Sequence, residues 1–130
     1  MTKVFLGGTC NNSKWRDILI PKLDIDYFNP VVDNWTEDDY QIELDEREKC
    51  NICLYFITPK MKGTYSIAEV IDDSNKRPEK TIFGFTKKDG KDEFDEDQIK
   101  SLDKVGVMVE SNGGLYLKSL TEIKSHLNNG

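Results

Sequence analysis

The sequence predicts an α/β three-layer sandwich, flavodoxin-like or Rossmann-like, on a mostly parallel sheet of about five strands. Two observations carry that prediction. Short apolar runs alternate with longer amphipathic stretches along the chain, the order produced when crossover helices join parallel strands. One of the runs, Cys53-Leu54-Tyr55-Phe56-Ile57, is apolar on both faces, as a central strand covered by helices on each side must be. The length of 130 residues, without repeat or linker, predicts one domain over 1–130.

Taken in order, strands are expected at 3–7, 25–28, 52–57, 80–85 and 105–109, and helices at 13–23, 37–50, 65–76, 95–103 and 119–128. The first strand, around Val4-Phe5-Leu6, ends in Gly7-Gly8 and leads through Asn12 and Ser13 into a helix. Thr36 caps the second helix, whose opening acids Glu37, Asp38 and Asp39 suit the positive end of its dipole. Asp95 with Gln98, and Ser119 with Glu122, have capping-box spacing. Pro78 marks a helix exit and Gly90 a turn. The run Val105-Gly106-Val107-Met108-Val109 supplies the last expected strand.

A net charge of -6 argues against duplex nucleic acid or an anionic membrane surface as partner, because phosphate binding draws on clustered Lys and Arg. A small ligand needs only a few local cations and stays open. No apolar run approaches the ~20 residues that span a bilayer, and Met1-Thr2-Lys3 runs straight into a strand rather than into a secretory signal. Three cysteines, an odd number, suit a reducing compartment, so a cytoplasmic location is expected.

In an open parallel sheet, ligands bind outside the carboxyl ends of the strands where strand order reverses. That rule selects Gly7-Gly8-Thr9-Cys10-Asn11-Asn12, Asn29-Pro30-Val31-Val32-Asp33-Asn34-Trp35 and Thr58-Pro59-Lys60-Met61-Lys62-Gly63-Thr64. The glycine turn presents backbone N–H groups suited to an anion or a sugar hydroxyl, yet it matches neither the Walker motif nor the full dinucleotide fingerprint. Lys14 and Arg16 either add phosphate affinity or are merely solvated helix cations. Cys50-Asn51-Ile52-Cys53 has redox or metal spacing but ends a helix and enters a strand, so two buried structural cysteines are expected. Glu69, in the first turns of the helix after the third strand, either complements the helix dipole or faces the ligand crevice.

The stretch from Glu43 to Glu69 resembles the nucleoside 2-deoxyribosyltransferase family and its relatives, the deoxynucleoside monophosphate N-glycosidases. Without gaps, Glu43 falls at the family's first acidic position, Asn51 at a pre-strand Asp, Ile52 to Ile57 on the strand and Glu69 at the nucleophile. Phe5-Leu6-Gly7-Gly8 resembles the family's sugar-contacting opening. The strings Asn29-Pro30-Val31-Val32, Trp35 and Met61 to Val70 look most like a short bacterial and phage branch. Three departures accompany the likeness: Gly63 stands where members carry a ribose-binding Asp, Ile71 where they carry a Gly, and the C-terminal aromatic and carboxylate lid has no counterpart in 126–130.

The resemblance implies N-glycosidic chemistry on a nucleoside or nucleotide, with a carboxylate beneath the anomeric carbon and an acid near the departing base. Glu69 would be the nucleophile, and Glu43, or Asp45, would position it or shuttle a proton. Gly7 and Gly8 would meet the sugar, with Thr9 and Asn12 of the same turn offering N–H groups to an anion or a sugar hydroxyl, and at Gly63 the family's sugar contact would be lost or replaced. Asp33 and Asn34 would hydrogen-bond the base, with Trp35 or Tyr65 stacking on it. Lys60 and Lys62 beside the pocket would either accept a 5′-phosphate or only keep the loop soluble. The chemistry implied needs no metal or organic cofactor, and family pockets are often completed by a neighbouring subunit, so a homodimer or higher homo-oligomer is expected. Transfer, hydrolysis, nucleotide binding without turnover, and a protein-interaction role that keeps the fold alone all remain open at this level.

Overall fold

A computed structural model describes residues 2–10 and 12–129. The chain runs β1 (Lys3–Gly8), α1 (Trp15–Leu19), β2 (Asp26–Phe28), α2 (Glu37–Lys49), β3 (Ile52–Ile57), α3 (Tyr65–Lys76) and β4 (Thr81–Phe85). It continues through β5 (Lys88–Asp89), β6 (Asp92–Glu93), α4 (Glu96–Ser111), β7 (Leu115–Tyr116) and α5 (Leu120–Asn129). β2, β1, β3, β4 and β7 form a five-stranded sheet in that order, every pairing parallel, and β5 and β6 form a separate antiparallel hairpin. This is the α/β layered fold that the alternating pattern predicts.

β3 shows why the layers form. Cys53, Tyr55 and Ile57 enter one apolar cluster with Phe5, Val70, Phe83, Leu102 and Val109, while Leu54 and Phe56 enter a second with Val4, Leu6, Trp15, Leu19, Ile123 and Leu127. Side chains alternate across a strand, so one strand feeds both cores: α3 and α4 cover one face, α1 and α5 the other. Cys50 and Cys53 are buried and free, as expected of structural thiols. Burial pushes both up, Cys50 to about 11 and Cys53 to about 12.

The caps read from sequence form. Thr36 and Asp39 make a reciprocal capping box at α2, and Asp95 and Gln98 do so at α4. At α5 the Ser119 hydroxyl accepts from the Glu122 N–H, but Glu122 turns its carboxylate to the Lys118 N–H instead of closing a box. Gly90, at φ 62°, makes the turn between β5 and β6.

Two expectations fail. The strand expected at 105–109 lies inside α4, and the fifth strand of the sheet is Leu115–Tyr116. Ile99, Leu102, Val105 and Val109 recur at helical spacing and pack on the core, so tertiary burial overrides the local β propensity of the valines. Gly106 faces the Tyr116 ring, where a Cβ would come within 2.4 Å of ring carbons. The helix expected at 13–23 shrinks to one α-turn at 15–19 and a 3-10 turn at 20–22, which carries Pro21.

Candidate active site

The sheet order β2-β1-β3-β4-β7 reverses direction between β1 and β3, and a cavity of about 300 Å³ opens there, at the strands' carboxyl ends. Gly7, Gly8, Thr9, Cys10 and Arg16 line it from β1 and the segment after it; Pro30, Val31, Val32 and Trp35 from the loop after β2; Glu43 from α2; and Met61, Gly63, Tyr65, Ser66 and Glu69 from the loop after β3 and the start of α3. The volume is at the low end of small-ligand sites.

The glycine turn is built by close approach. Gly8 has φ 114°, and a Cβ there would sit 2.0 Å from the Phe56 carbonyl oxygen, so only glycine fits beside β3. Thr9 locks the same junction: its N–H donates to Phe56 O at 3.0 Å and its hydroxyl accepts from the Thr58 N–H at 2.9 Å. The Thr9 hydroxyl is therefore committed to backbone.

Arg16, read as a possible solvated cation, is instead buried. It donates to the carbonyls of Leu6 (3.0 Å), Thr9 (2.7 Å) and Gly8 (3.3 Å), and its guanidinium lies 4.4 Å from the Trp15 ring centroid. Burial lowers its pKa to about 10. It ties the β1 exit to α1 and presents a positive edge to the cavity.

Glu69 is mostly buried, with a side-chain exposure of 12%, and lies 3.6 Å from Arg47. Arg47, which no motif in the sequence singled out, is the cation beside it. It is 3% exposed and binds Asp73 through two hydrogen bonds, at 3.2 and 3.0 Å, and Asp72 at 3.0 Å. Tyr55 and Arg77 also donate to Asp73. Burial opposes ionisation of Asp73, yet the hydrogen bonds from Arg47 and Tyr55 outweigh it and hold its pKa below the usual carboxylate range. Burial likewise opposes charge on Arg47, and the bond to Asp73 with the neighbouring acids raises its pKa well above the ordinary value. The only signal of this in the sequence was a basic residue four positions after Glu43, on the same helix face.

Because Arg47 is shared among three carboxylates, its pull on Glu69 is incomplete. Burial raises the Glu69 pKa to about 7, with Arg47 opposing the rise and Glu43 and Asp73 adding to it. Burial also raises Glu43, against the hydrogen bond it accepts from Trp35 Nε1 at 2.9 Å. The cavity thus holds two carboxyls with weakened acidity.

Trp35 and Tyr65 are each 53% exposed and stand at the rim rather than in the core. Tyr40 bridges them, edge-on to Trp35 with centroids 5.4 Å apart and within 3.2 Å of the Tyr65 hydroxyl. Cys10 and Met61 lie in loops that the switch-point rule selects and Ser66 in a string that carries the family likeness, but the sequence assigns none of them, nor Tyr40, a role of its own.

Several expected contacts fall outside the lining. Asp45 is exposed and accepts from Gln41 at 3.2 Å, because two residues along α2 turn it away from the face that carries Glu43. Asn12 (φ 60°), Asp33, Asn34 and Lys62 are exposed and not among the lining residues. Lys60 is drawn to Asp92 of the hairpin at 2.8 Å. Asn51 stands at the amino end of the sheet, accepting from the Lys3 N–H at 2.8 Å, so it joins β1 to β3 away from the cavity. Asn11 lies outside the described residues. An added Cβ at Gly63 would meet nothing within 4 Å, so the space left by the missing acid is open.

The sequence model of a family described as nucleoside 2-deoxyribosyltransferase like matches residues 1–85. That stretch contains every residue lining the cavity. No curated protein matches the chain.

Proposed function

The chain belongs to the nucleoside 2-deoxyribosyltransferase-like family, and from that premise we propose that it breaks the N-glycosidic bond of a nucleoside or nucleotide as one catalytic domain. Glu69 is the nucleophile. The observation that carries this reading is its setting: a largely buried carboxyl, lining a ligand-sized cavity at the sheet's switch point, with a pKa raised to about 7.

In the first step a Glu69 oxygen bonds to the anomeric carbon as the carbon–nitrogen bond breaks, and the electron pair leaves with the base. The base nitrogen takes a proton from Glu43, whose raised pKa suits a donor. In the second step water, or a second base, attacks the anomeric carbon, gives its proton to Glu43 and frees Glu69. Water gives hydrolysis and a base gives transfer. Arg47 positions Glu69, Trp35 and Tyr65 bracket the base, and Gly7, Gly8 and Gly63 leave room for the sugar.

Incubating the protein with nucleosides and 5′-nucleotides, with and without an acceptor base, and following free and exchanged base by mass spectrometry tests the proposal. Wild type should release or exchange a base, and Glu69→Gln should bind the same compound while turning over at least 10³-fold more slowly. A second reading, binding without turnover, is favoured if both proteins bind equally and neither releases a base.

A further inference from the structure

A second and larger cavity, of about 770 Å³, opens outside the carboxyl ends of β4 and β7. Its walls are unlike the rest of the chain, which carries 24 acidic against 18 basic residues. Lys87, Lys88, Lys100 and Lys118 line it with a single carboxylate, Asp103. Asp103 is 3.8 Å from Lys118 and also accepts from the Tyr116 hydroxyl; Lys88 reaches Glu93 at 3.3 Å. Both pairs are exposed and give way to salt and to competing anions. Among the described residues, Lys87 and Lys100 have no carboxylate within ion-pair distance. Four ammonium groups around one concavity repel each other unless an anion sits among them, and a concave, partly apolar wall strengthens that field. The floor is Phe85 and Ile99, beside a Tyr116 ring that lies under the Lys118 ammonium, 3.5 Å from its centroid; Phe85 and Ile99 are apolar surface that a simple inorganic anion would not use. All four lysines lie beyond the residues matched by the family model, so the feature is separate from the cavity at β1 and β3.

We propose that this cavity is a second binding site, for a nucleotide carrying two or more phosphates: its ring rests on Phe85 and Ile99, and its phosphates lie among the four lysines. Lysine binds phosphate as a compact point charge, and a diphosphate's charge approaches the excess of the four ammonium groups over Asp103. The proposal is independent of the N-glycosidic reading.

Titration calorimetry with ADP on the full chain at low ionic strength tests it, with adenosine and inorganic pyrophosphate run alongside. ADP should bind at least tenfold more tightly than either, and the affinity should fall as salt is added. The double variant Lys87→Glu, Lys100→Glu, at exposed positions and checked for an unchanged unfolding temperature, should lose at least tenfold in ADP affinity. Lys22→Glu, a charge reversal at an exposed lysine that lines neither cavity, should change it less than twofold. No ADP binding to wild type, an affinity untouched by the lysine reversals, an equal loss in Lys22→Glu, or pyrophosphate binding as tightly as ADP would each overturn the assignment.

Discussion

Glu69 is held between two opposing effects. Burial disfavours its charge, and Arg47, 3.6 Å away and divided among Glu69, Asp72 and Asp73, only partly restores it. A carboxyl whose pKa is about 7 when folded and 4.5 when unfolded holds its proton more tightly in the folded state. Its ionisation therefore costs no stability below pH 4.5 and progressively more up to about 7, on the order of 3 kcal/mol in full. Denaturant titration should find Glu69→Gln more stable than wild type above pH 7, with the difference vanishing towards pH 4.5. If Glu69 is the nucleophile, kcat/KM of wild type should rise with pH through about 7. Removing Arg47 acts on both counts. Arg47→Met strips the fully buried Asp73 of its main partner, at a cost of about 3–5 kcal/mol typical of a broken buried ion pair. It should also move the acid limb of kcat/KM to higher pH, and Arg47→Lys should restore more of that limb than of the stability, since lysine supplies charge without the two-pronged bond.

At the scale of elements, the segment from Val105 to Val109 shows how packing decides between alternatives that local propensity leaves open. Its valines favour a strand, but the capping box at Asp95 starts a helix that carries Leu102 and Val109 into the core. Gly106 then serves the approach of α4 to β7. In an exposed helix, glycine to alanine stabilises by roughly 1 kcal/mol. Here the added methyl would meet the Tyr116 ring at 2.4 Å, so Gly106→Ala should instead lower stability by about 1–2 kcal/mol, as overpacking does. Thermal unfolding gives the sign, and a raised midpoint would refute the packing account. The β5–β6 hairpin is equally a product of tertiary contacts. Asp89 accepts from the Ser13 hydroxyl at 2.6 Å, and Asp92 holds Lys60, so this short ribbon braces segments on both sides of the first cavity.

At the scale of the whole molecule, the three thiols report how cooperative the fold is. Cys10 is exposed in the lining of the first cavity, whereas Cys50 and Cys53 sit in the apolar cluster beneath α3 and α4. Maleimide labelling of native protein, read by intact mass, should add one group rapidly and the second and third only at the rate of unfolding. A nucleoside bound in the cavity should slow the first addition. Among the described residues no helix is long and apolar enough to cross a membrane.

The layered α/β fold, the caps of α2 and α4, the strand that feeds both cores and the family likeness of residues 1–85 are legible in the chain alone, because each depends on side chains close together or at a repeating interval. The rest depends on contacts between distant segments. Arg47 is 22 positions from Glu69, Tyr55 is 18 from Asp73, and Arg16 turns back on the carbonyls of Leu6, Gly8 and Thr9. Asp45, Asp33, Asn34 and Lys62 were plausible by type, and the rotation of α2 and the course of the loops leave them outside the cavity lining. A pKa near 7 follows from how much water and how many neighbouring charges surround a carboxyl, and those are fixed only when distant segments meet.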